Sequence, residues 1–491
     1  MARSEATTIA PYEAGMLIGG KKIDGGRRIE VRNPAHPDEL VGTIVQGTPD
    51  DVNRAVAAAK AAQPAWAGRT FAERAEVLTR ALERIDDGIE NRAILLVREN
   101  GKTLLDARGE LAGVAAHARL TLELAAQLDA TNELPAPKGR TVVRYVPYGV
   151  VVSIVPWNTP IGLAFLQIIP ALFAGNSVVL KVPESCPLAL IQTAELLAAW
   201  LPPGLLNVVS GFPADIGDAI TLHADVGKIA FTGSIPSARK IIANAGQTIK
   251  GVTAELGGND AAILLEDADL GDETMRRLAT SVFRSAGQIC MAVKRIYVLD
   301  KIHDRFIDAF CKAADRIVVG DGLRSGVTMG PLHTAPARER ALALIGEAKQ
   351  QGAAVRCLGT VLDEANFAVG YFVRPTVVTE VGDDARLVSE EQFCPVIPVV
   401  KYRELEDALA RANATIYGLG GSVWSKDSAK AMAIAQRIQA GTVFVNTHGT
   451  QSVNRNAPYG GLKQSGLGRR SGIDGLREYA QLQTLTTFEP Y

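Results

Sequence analysis

The chain has 491 residues, with 52 Lys and Arg against 53 Asp and Glu and a hydrophobic fraction of 47%. A net charge of −1 leaves no bulk field for nucleic acid or an anionic membrane surface, and the apolar content excludes disorder as the main state. At about 100–200 residues per domain, the length predicts two to four domains.

The opening stretch, MARSEATTIAPYEAG, has no apolar core of a secretory signal, so none is expected. Thr48-Pro49-Asp50-Asp51 reads as a helix start, with Thr48 as cap, Pro49 in the first turn and acids facing the dipole. Apolar residues then recur at helical spacing through about residue 128. Breaks are expected near Gln63-Pro64 and at Asn100-Gly101, so the first quarter is predicted to be mostly helical. Residues 141–146 and 149–155 are β-rich runs split by Pro147-Tyr148 and read as successive strands, the first one protruding.

Residues 145–180 carry no charged side chain and are long enough to span a bilayer. Pro147, Pro156, Pro160 and Pro170 interrupt the tract, together with Asn158, Gln167 and Gly175, and a spanning helix could not satisfy its backbone through them. The tract therefore reads as buried strand, turn, helix and strand of a soluble protein. Beyond it, strands at 177–181, 205–209, 227–231 and 252–255 alternate with helices at 187–201, 213–223 and 236–245, the pattern of a parallel sheet wrapped by helices. A second cycle starts at 261–264, with a helix at 272–286, a strand at 295–299, a helix at 302–314 and strands near 396–401 and 442–446. The terminal run 482–488 alternates like an exposed edge strand, which invites pairing with another chain and predicts a homo-oligomer.

Cys186, Cys290, Cys311, Cys357 and Cys394 form no CxxC pair, so free thiols and a reducing cytoplasm are expected. His36, His117, His223, His303, His333 and His448 include no HxxxH or HExxH, so no metal site is predicted. Cys290, beside glycine in Gly287-Gln288-Ile289-Cys290, is either an activated thiol or a small buried hydrophobe. Glu255, at the end of an apolar strand before Gly257-Gly258, is either a general base or an ion-paired or capping carboxylate. Asn158, in an apolar turn, either stabilises an oxyanion or bonds its own backbone.

Val155-Pro156-Trp157-Asn158, Lys181-Val182-Pro183-Glu184, Phe231-Thr232-Gly233-Ser234, Glu255-Leu256-Gly257-Gly258, Gly287-Gln288-Ile289-Cys290, Glu390-Glu391-Gln392-Phe393 and Pro458-Tyr459-Gly460-Gly461 occur in that order. With Gly441-Thr442-Val443-Phe444-Val445-Asn446 and Ser465-Gly466-Leu467-Gly468-Arg469, the chain resembles the aldehyde dehydrogenase superfamily along nearly its whole length. The resemblance implies an α/β fold: a Rossmann-like cofactor domain (1–124 and 148–257), an α/β catalytic domain (258–458) and a small β oligomerisation arm with the C-terminal tail (125–147 and 459–491).

It also implies oxidation of an aldehyde to the acid with NAD. Cys290 would form a thiohemiacetal and then a thioester, Asn158 would hold the oxyanion, and Glu255 would activate the hydrolytic water. Val155, Pro156, Trp157, Lys181, Glu184, Gly217, Phe231, Gly233, Ser234, Ser237, Leu256, Glu391 and Phe393 are the implied cofactor contacts. Glu184 favours NAD over NADP, because a carboxylate accepts from a free ribose hydroxyl and repels a phosphate. No GxGxxG follows a suitable strand, and this family does not rely on that fingerprint.

Thr159, Leu163, Leu166, Ile289, Met291 and Tyr459 are expected to line the substrate pocket and to suit a medium to bulky, mainly apolar aldehyde. His448, also a candidate for that lining, reads as a loop histidine without a role. Arg455 reads as a solvated arginine, with a grip on a substrate carboxylate as the alternative. Four positions depart from the family pattern: Lys-Val-Pro-Glu moves a proline, Ala238 follows Pro236 where glycine is usual, Cys394 replaces a glycine, and Arg470 stands where glutamate is common. The competing readings are a CoA-acylating relative, in which Glu255 would be dispensable, a non-catalytic protein of the same fold, and a cysteine hydrolase, which lacks a persuasive histidine partner.

Overall fold

The computed structural model describes residues 10–124, 127–128, 132–135 and 138–488. The start of the segment read for a secretory signal (1–9), parts of the expected arm (125–126, 129–131 and 136–137) and the last three residues lie outside them. Two large sheets dominate. The first has eight strands in the order Gly466–Leu467, Gly251–Glu255, Val226–Thr232, Val150–Ile154, Ser177–Lys181, Leu206–Val209, Met16–Ile18, Lys21–Ile23. Its five central strands are mutually parallel and, counted along the chain from Val150–Ile154, lie in the order 5-4-1-2-3. This is doubly wound topology, and the order reverses between Val150–Ile154 and Val226–Thr232, so a crevice opens beyond their carboxyl ends.

Both faces of this sheet are covered by helices, which is why its strands read as unbroken apolar runs. Val178 and Leu180 enter one core cluster and Val179 the other, following the two-residue period of a strand. The second sheet has seven strands, ordered Ala354–Cys357, Thr376–Thr379, Val396–Tyr402, Val293–Leu299, Asp260–Leu264, Gly420–Trp424, Thr442–Val445. All its pairs are parallel except that of Ala354–Cys357 with Thr376–Thr379. The chain passes from the carboxyl end of Gly251–Glu255 through four residues into Asp260–Leu264, so the carboxyl edge of one sheet faces the amino edge of the other.

Two local expectations are corrected. The helix Pro49–Ala67 runs through the break expected at Gln63-Pro64 and ends at Gly68. Pro64 lies in the last turn, where only its own missing N–H is lost. The Trp66 indole donates to the Leu172 carbonyl at 2.7 Å and the Gln63 amide to that of Gly175 at 3.0 Å, so tertiary bonds hold the turn. The N-terminal region also contains strands that helical periodicity did not reveal: Tyr12–Ala14, His36–Val45 and Arg28–Asn33 form a three-stranded sheet, and two further strands extend the first large sheet. The alternating burial of Ile29 and Val31 in Arg28–Asn33 is the missed period-two signal.

The C-terminal segment divides. Gly466–Leu467 joins the first sheet, whereas Ala480–Thr486 pairs with Arg140–Pro147, which in turn pairs with Asn132–Pro135 in a separate three-stranded sheet. No helix of the described residues is long and apolar enough to cross a membrane.

Candidate active site

Cys290 sits on a loop shaped by unusual backbone. Ser285, Ala286 and Gly287 take φ of 51°, 56° and 73° in succession, a left-handed turn between the helix Asp272–Phe283 and the strand Val293–Leu299. Such residues cost roughly 1–2 kcal/mol each and persist only where packing over-determines them. Here a β-carbon on Gly287 would lie 2.4 Å from the Cys394 carbonyl oxygen, so only glycine fits. The loop is held from several sides: the Asn158 side-chain amide donates to the Gln288 carbonyl at 2.9 Å, the His333 backbone N–H to the Gln288 side chain at 2.9 Å, and Lys294 Nζ to the Cys290 carbonyl at 2.6 Å.

The opposite wall starts at the switch point of the first sheet. Val155-Pro156-Trp157-Asn158 leaves Val150–Ile154 and enters the helix Pro160–Phe173, whose first turn has no capping side chain of its own. Glu110 fills that role from another helix, accepting from the N–H groups of Ile161 (2.8 Å) and Gly162 (3.0 Å), and pairs with the buried Lys102. Lys102 in turn donates to the Asn158 carbonyl at 3.0 Å. Asn158 is thus placed by a buried ion pair, a connection that the motif reading missed.

Between these walls lies a chamber of about 230 Å³. Thr159, Leu163, Leu166, Ile289, Met291 and Tyr459 all line it, together with Cys290 and Asn158. His448 does not. It is buried against Phe444, with Nε2 3.3 Å from Asp260 Oδ2 and both side chains fully shielded. Asp260 accepts from the Gly420 N–H at 3.1 Å through its other carboxyl oxygen. Arg455 is not a solvated loop arginine; it lines the chamber and burial pulls its pKa down to about 10.

Glu255 is only 5% exposed at the end of Gly251–Glu255, beside the chamber rather than on its lining. One carboxyl oxygen is buried without a hydrogen-bond partner, and burial raises the group to about pH 7, with Arg470 and Arg469 working against the rise. Arg470 had registered only as a departure from the family pattern, because nothing local links it to the cysteine loop. Its backbone bridges to Tyr459, its guanidinium stacks 4.4 Å from that ring, and it lines the chamber. Burial pushes the Cys290 thiol up, and the charges of Arg470 and Lys294 pull it down. Arg470→Met is therefore expected to move the pH midpoint of Cys290 alkylation by iodoacetamide upward by about one unit, read by mass spectrometry on the Cys290 peptide. An unchanged midpoint would show that the guanidinium does not act on the thiol.

A second cleft, of about 140 Å³, lies between the helices Pro213–Thr221 and Ile235–Gly246. Lys181, Gly217, Phe231 and Ser237 line it, and Lys181 Nζ pairs with Glu184 at 2.7 Å on its rim. Ser234 caps Ile235–Gly246 by accepting from the Ser237 N–H, and Pro236 sits in the first turn without unwinding it. Gly233 leads into that helix at the switch point, its N–H donating to the Glu255 carbonyl at 3.0 Å. Glu391 accepts from the Gly258 N–H at 3.1 Å, an approach that a side chain at Gly257 would block.

Phe393 lies edge-on to Trp157 at 6.0 Å, and Leu256 is anchored to the Ser465 carbonyl at 2.9 Å. An apolar slot, a helix N-terminus and a lysine–carboxylate pair arranged around a switch point fit a dinucleotide. Cys394 is buried and its thiol is pushed up to about 12, so it packs rather than reacts.

Comparison with known proteins agrees with this geometry. The profile described as "Aldehyde dehydrogenase family" matches residues 22–485. Phenylacetaldehyde dehydrogenase of Pseudomonas fluorescens is 37% identical over 96% of this chain and 95% of its own. The NADP(+) succinate-semialdehyde dehydrogenase GabD of Escherichia coli is 35% identical, covering 95% and 96%. The crystal structure of betaine aldehyde dehydrogenase from Staphylococcus aureus in complex with NAD+ superposes with a TM-score of 0.91 at 31% identity, covering 97% of this chain and 94% of that one.

Proposed function

The chain belongs to the aldehyde dehydrogenase family, oxidoreductases that convert an aldehyde to its acid with a nicotinamide dinucleotide, and from that premise we propose a hydrolytic reaction carried by Cys290, Asn158 and Glu255. The observation that carries this reading is the convergence of a thiol, an amide and a carboxyl of raised pKa at the junction of the two sheets. Cys290 Sγ attacks the carbonyl carbon, and its proton passes to the Glu255 carboxylate. The second N–H of the Asn158 amide and the Cys290 backbone N–H hold the resulting oxyanion. A dinucleotide bound in the cleft supplies the acceptor for the hydride lost from that carbon. Cys290 is left holding a thioester. Glu255 sheds that proton to solvent and then takes one from water; the hydroxyl adds to the acyl carbon, the C–S bond breaks, the Cys290 sulfur recovers the proton from Glu255 and the released acid ionises. In sum, aldehyde, water and oxidised dinucleotide yield carboxylate, reduced dinucleotide and two protons.

The test is formation of NADH from a panel of aldehydes with and without CoA, with the product identified chemically. Turnover to the acid without CoA is expected; steady turnover only with CoA would replace hydrolysis by acyl transfer to a thiol. NAD is the preferred dinucleotide in this reading, since Glu184 puts a carboxylate beside Lys181 where a 2′-phosphate would lie. Glu184→Gln is expected to raise the NADP to NAD ratio of kcat/KM by about tenfold, and an unmoved ratio would remove Glu184 from that role.

The strand grouping supports a dinucleotide unit on the first sheet and a catalytic unit on the second. The arm supports a homo-oligomer, because Ala480–Thr486 has an open edge and Leu482, Leu485 and Phe488 are exposed there. Five free thiols accord with a reducing, cytoplasmic setting.

A further inference from the structure

The charges around the aldehyde chamber do not balance. Lys102 is paired with Glu110, and Arg284 with Asp106 at 2.7 Å, so these four cancel. Arg470 and Arg455 remain. Arg470 is answered by Glu255, whose charge favours the guanidinium, whereas among the described residues no acid pairs with Arg455. The groups that act on Arg455 are the Arg470 cation, which repels it, and the Tyr459 hydroxyl. His117, on the helix Leu104–Glu123, lines the same side and is itself depressed to about 4, first by burial and then by the Arg455 charge. Two guanidiniums brought together in a half-buried chamber with no anion between them are costly unless something anionic is taken up there.

We propose that Arg455 is the specificity-determining residue of the chamber and that the physiological substrate is an aldehyde bearing a carboxylate, received by Arg455 while the carbonyl lies at Cys290. The inference rests on the hydrolytic aldehyde reading above and names its substrate class. Arg455 is the residue for this task because it lines the chamber beside His117 of the helix Leu104–Glu123 and has no acidic partner among the described residues. Arg470, whose charge acts on Cys290 and Glu255, serves the chemistry instead. A guanidinium offers a planar fork that a carboxylate can meet with two parallel hydrogen bonds, a match that a hydroxyl or an ester cannot make. Leu163, Leu166, Ile289, Met291 and Val453 supply an apolar wall for the carbon chain or ring between the two ends. The same wall explains why the pocket looks apolar from sequence: its one unanswered cation comes from a distant loop.

The experiment compares each carboxylated aldehyde with its own methyl ester, 4-oxobutanoate and 4-formylbenzoate serving as an aliphatic and an aromatic pair. In the wild type, kcat/KM for at least one acid should exceed that for its ester by about a hundredfold, carried mainly by KM and weakened by salt. Arg455→Gln should remove most of that ratio, and Arg455→Lys should keep part of it. A readout independent of turnover is the calorimetric affinity for the dicarboxylate products succinate and terephthalate, which should fall in Arg455→Gln; if that variant does not fold, the lysine variant and the salt dependence of the wild type carry the test. An acid-to-ester ratio near one for both pairs, or a ratio unchanged in Arg455→Gln, overturns the assignment. Ester oxidation without preference for the acid would do so while leaving the aldehyde dehydrogenase reading intact. The absence of NADH from every aldehyde would instead remove that parent reading.

Discussion

Cys290→Ala should lower aldehyde oxidation by at least about ten-thousandfold while leaving dinucleotide binding measurable by fluorescence titration. The size follows from the role: without sulfur no tetrahedral adduct forms, and an aldehyde carbon that carries no added nucleophile is a poor source of hydride. The dinucleotide cleft is built from the helices Pro213–Thr221 and Ile235–Gly246 and does not include the cysteine loop, so binding and chemistry should separate cleanly. The substitution also removes only one atom from a half-buried site and leaves the left-handed turn at Ser285–Gly287 untouched, so little stability should be lost. Retention of more than a few per cent of the activity would show that another group is the nucleophile.

Glu255→Gln should give a different signature. The first turnover should still release about one NADH per site, because acylation of Cys290 can proceed at high pH without the base, but steady turnover should fall by about 100- to 1000-fold as the thioester accumulates. Rapid-mixing kinetics separates the two phases, and mass spectrometry detects the acylated Cys290. Loss of the burst together with the steady rate would show that acylation cannot proceed without Glu255 as acceptor of the thiol proton.

The pH dependence carries a second check. Burial raises Glu255 to about 7, and the base must be ionised to accept a proton, so the wild-type rate should climb through about pH 7 and that limb should vanish in Glu255→Gln. The same shift bears on stability with a definite sign. The folded state binds the Glu255 proton more tightly than the unfolded chain, so its contribution is intact in acid and is lost as pH rises from the ordinary carboxylate range through about 7. The glutamine variant should therefore melt at a higher temperature than the wild type at pH 8, and the difference should close at pH 4.5.

Much of this molecule was legible without coordinates. Mainly apolar runs at 177–181 and 205–209, punctuated by Pro187, Gly204 and Pro213, state buried parallel strands and their helices. The observed Ser177–Lys181, Leu206–Val209 and Pro213–Thr221 follow them closely. The Thr48-Pro49-Asp50-Asp51 start stands in the structure as a full capping box. Cys290, Asn158 and the six expected lining residues do meet at one chamber, because each motif sits at a strand end or loop that the sheet order brings to the same edge. These features are local: a cap, a two-residue period or a glycine beside a cysteine is set by a few neighbours in the chain.

What stayed hidden depends on distance across the fold. Pro64 signals a break by its chemistry, yet the helix continues because Trp66 and Gln63 find carbonyls more than a hundred residues away. Lys102, just before the helix Leu104–Glu123, and Glu110, inside it, are ordinary charges in the chain and become a buried pair under Asn158 only once the helices pack. Fifteen positions apart in a polar stretch, Arg455 reads as solvated and Arg470 only as a departure from its motif until the Tyr459 bridge and the helix carrying His117 enclose them. The sequence by itself determined the parallel architecture and, through the order and spacing of its motifs, the family, since each rests on residue type and short spacing. Only the tertiary structure decided which charges are answered and which are not, because the free energy of a charge is set by the burial and the partners that folding supplies.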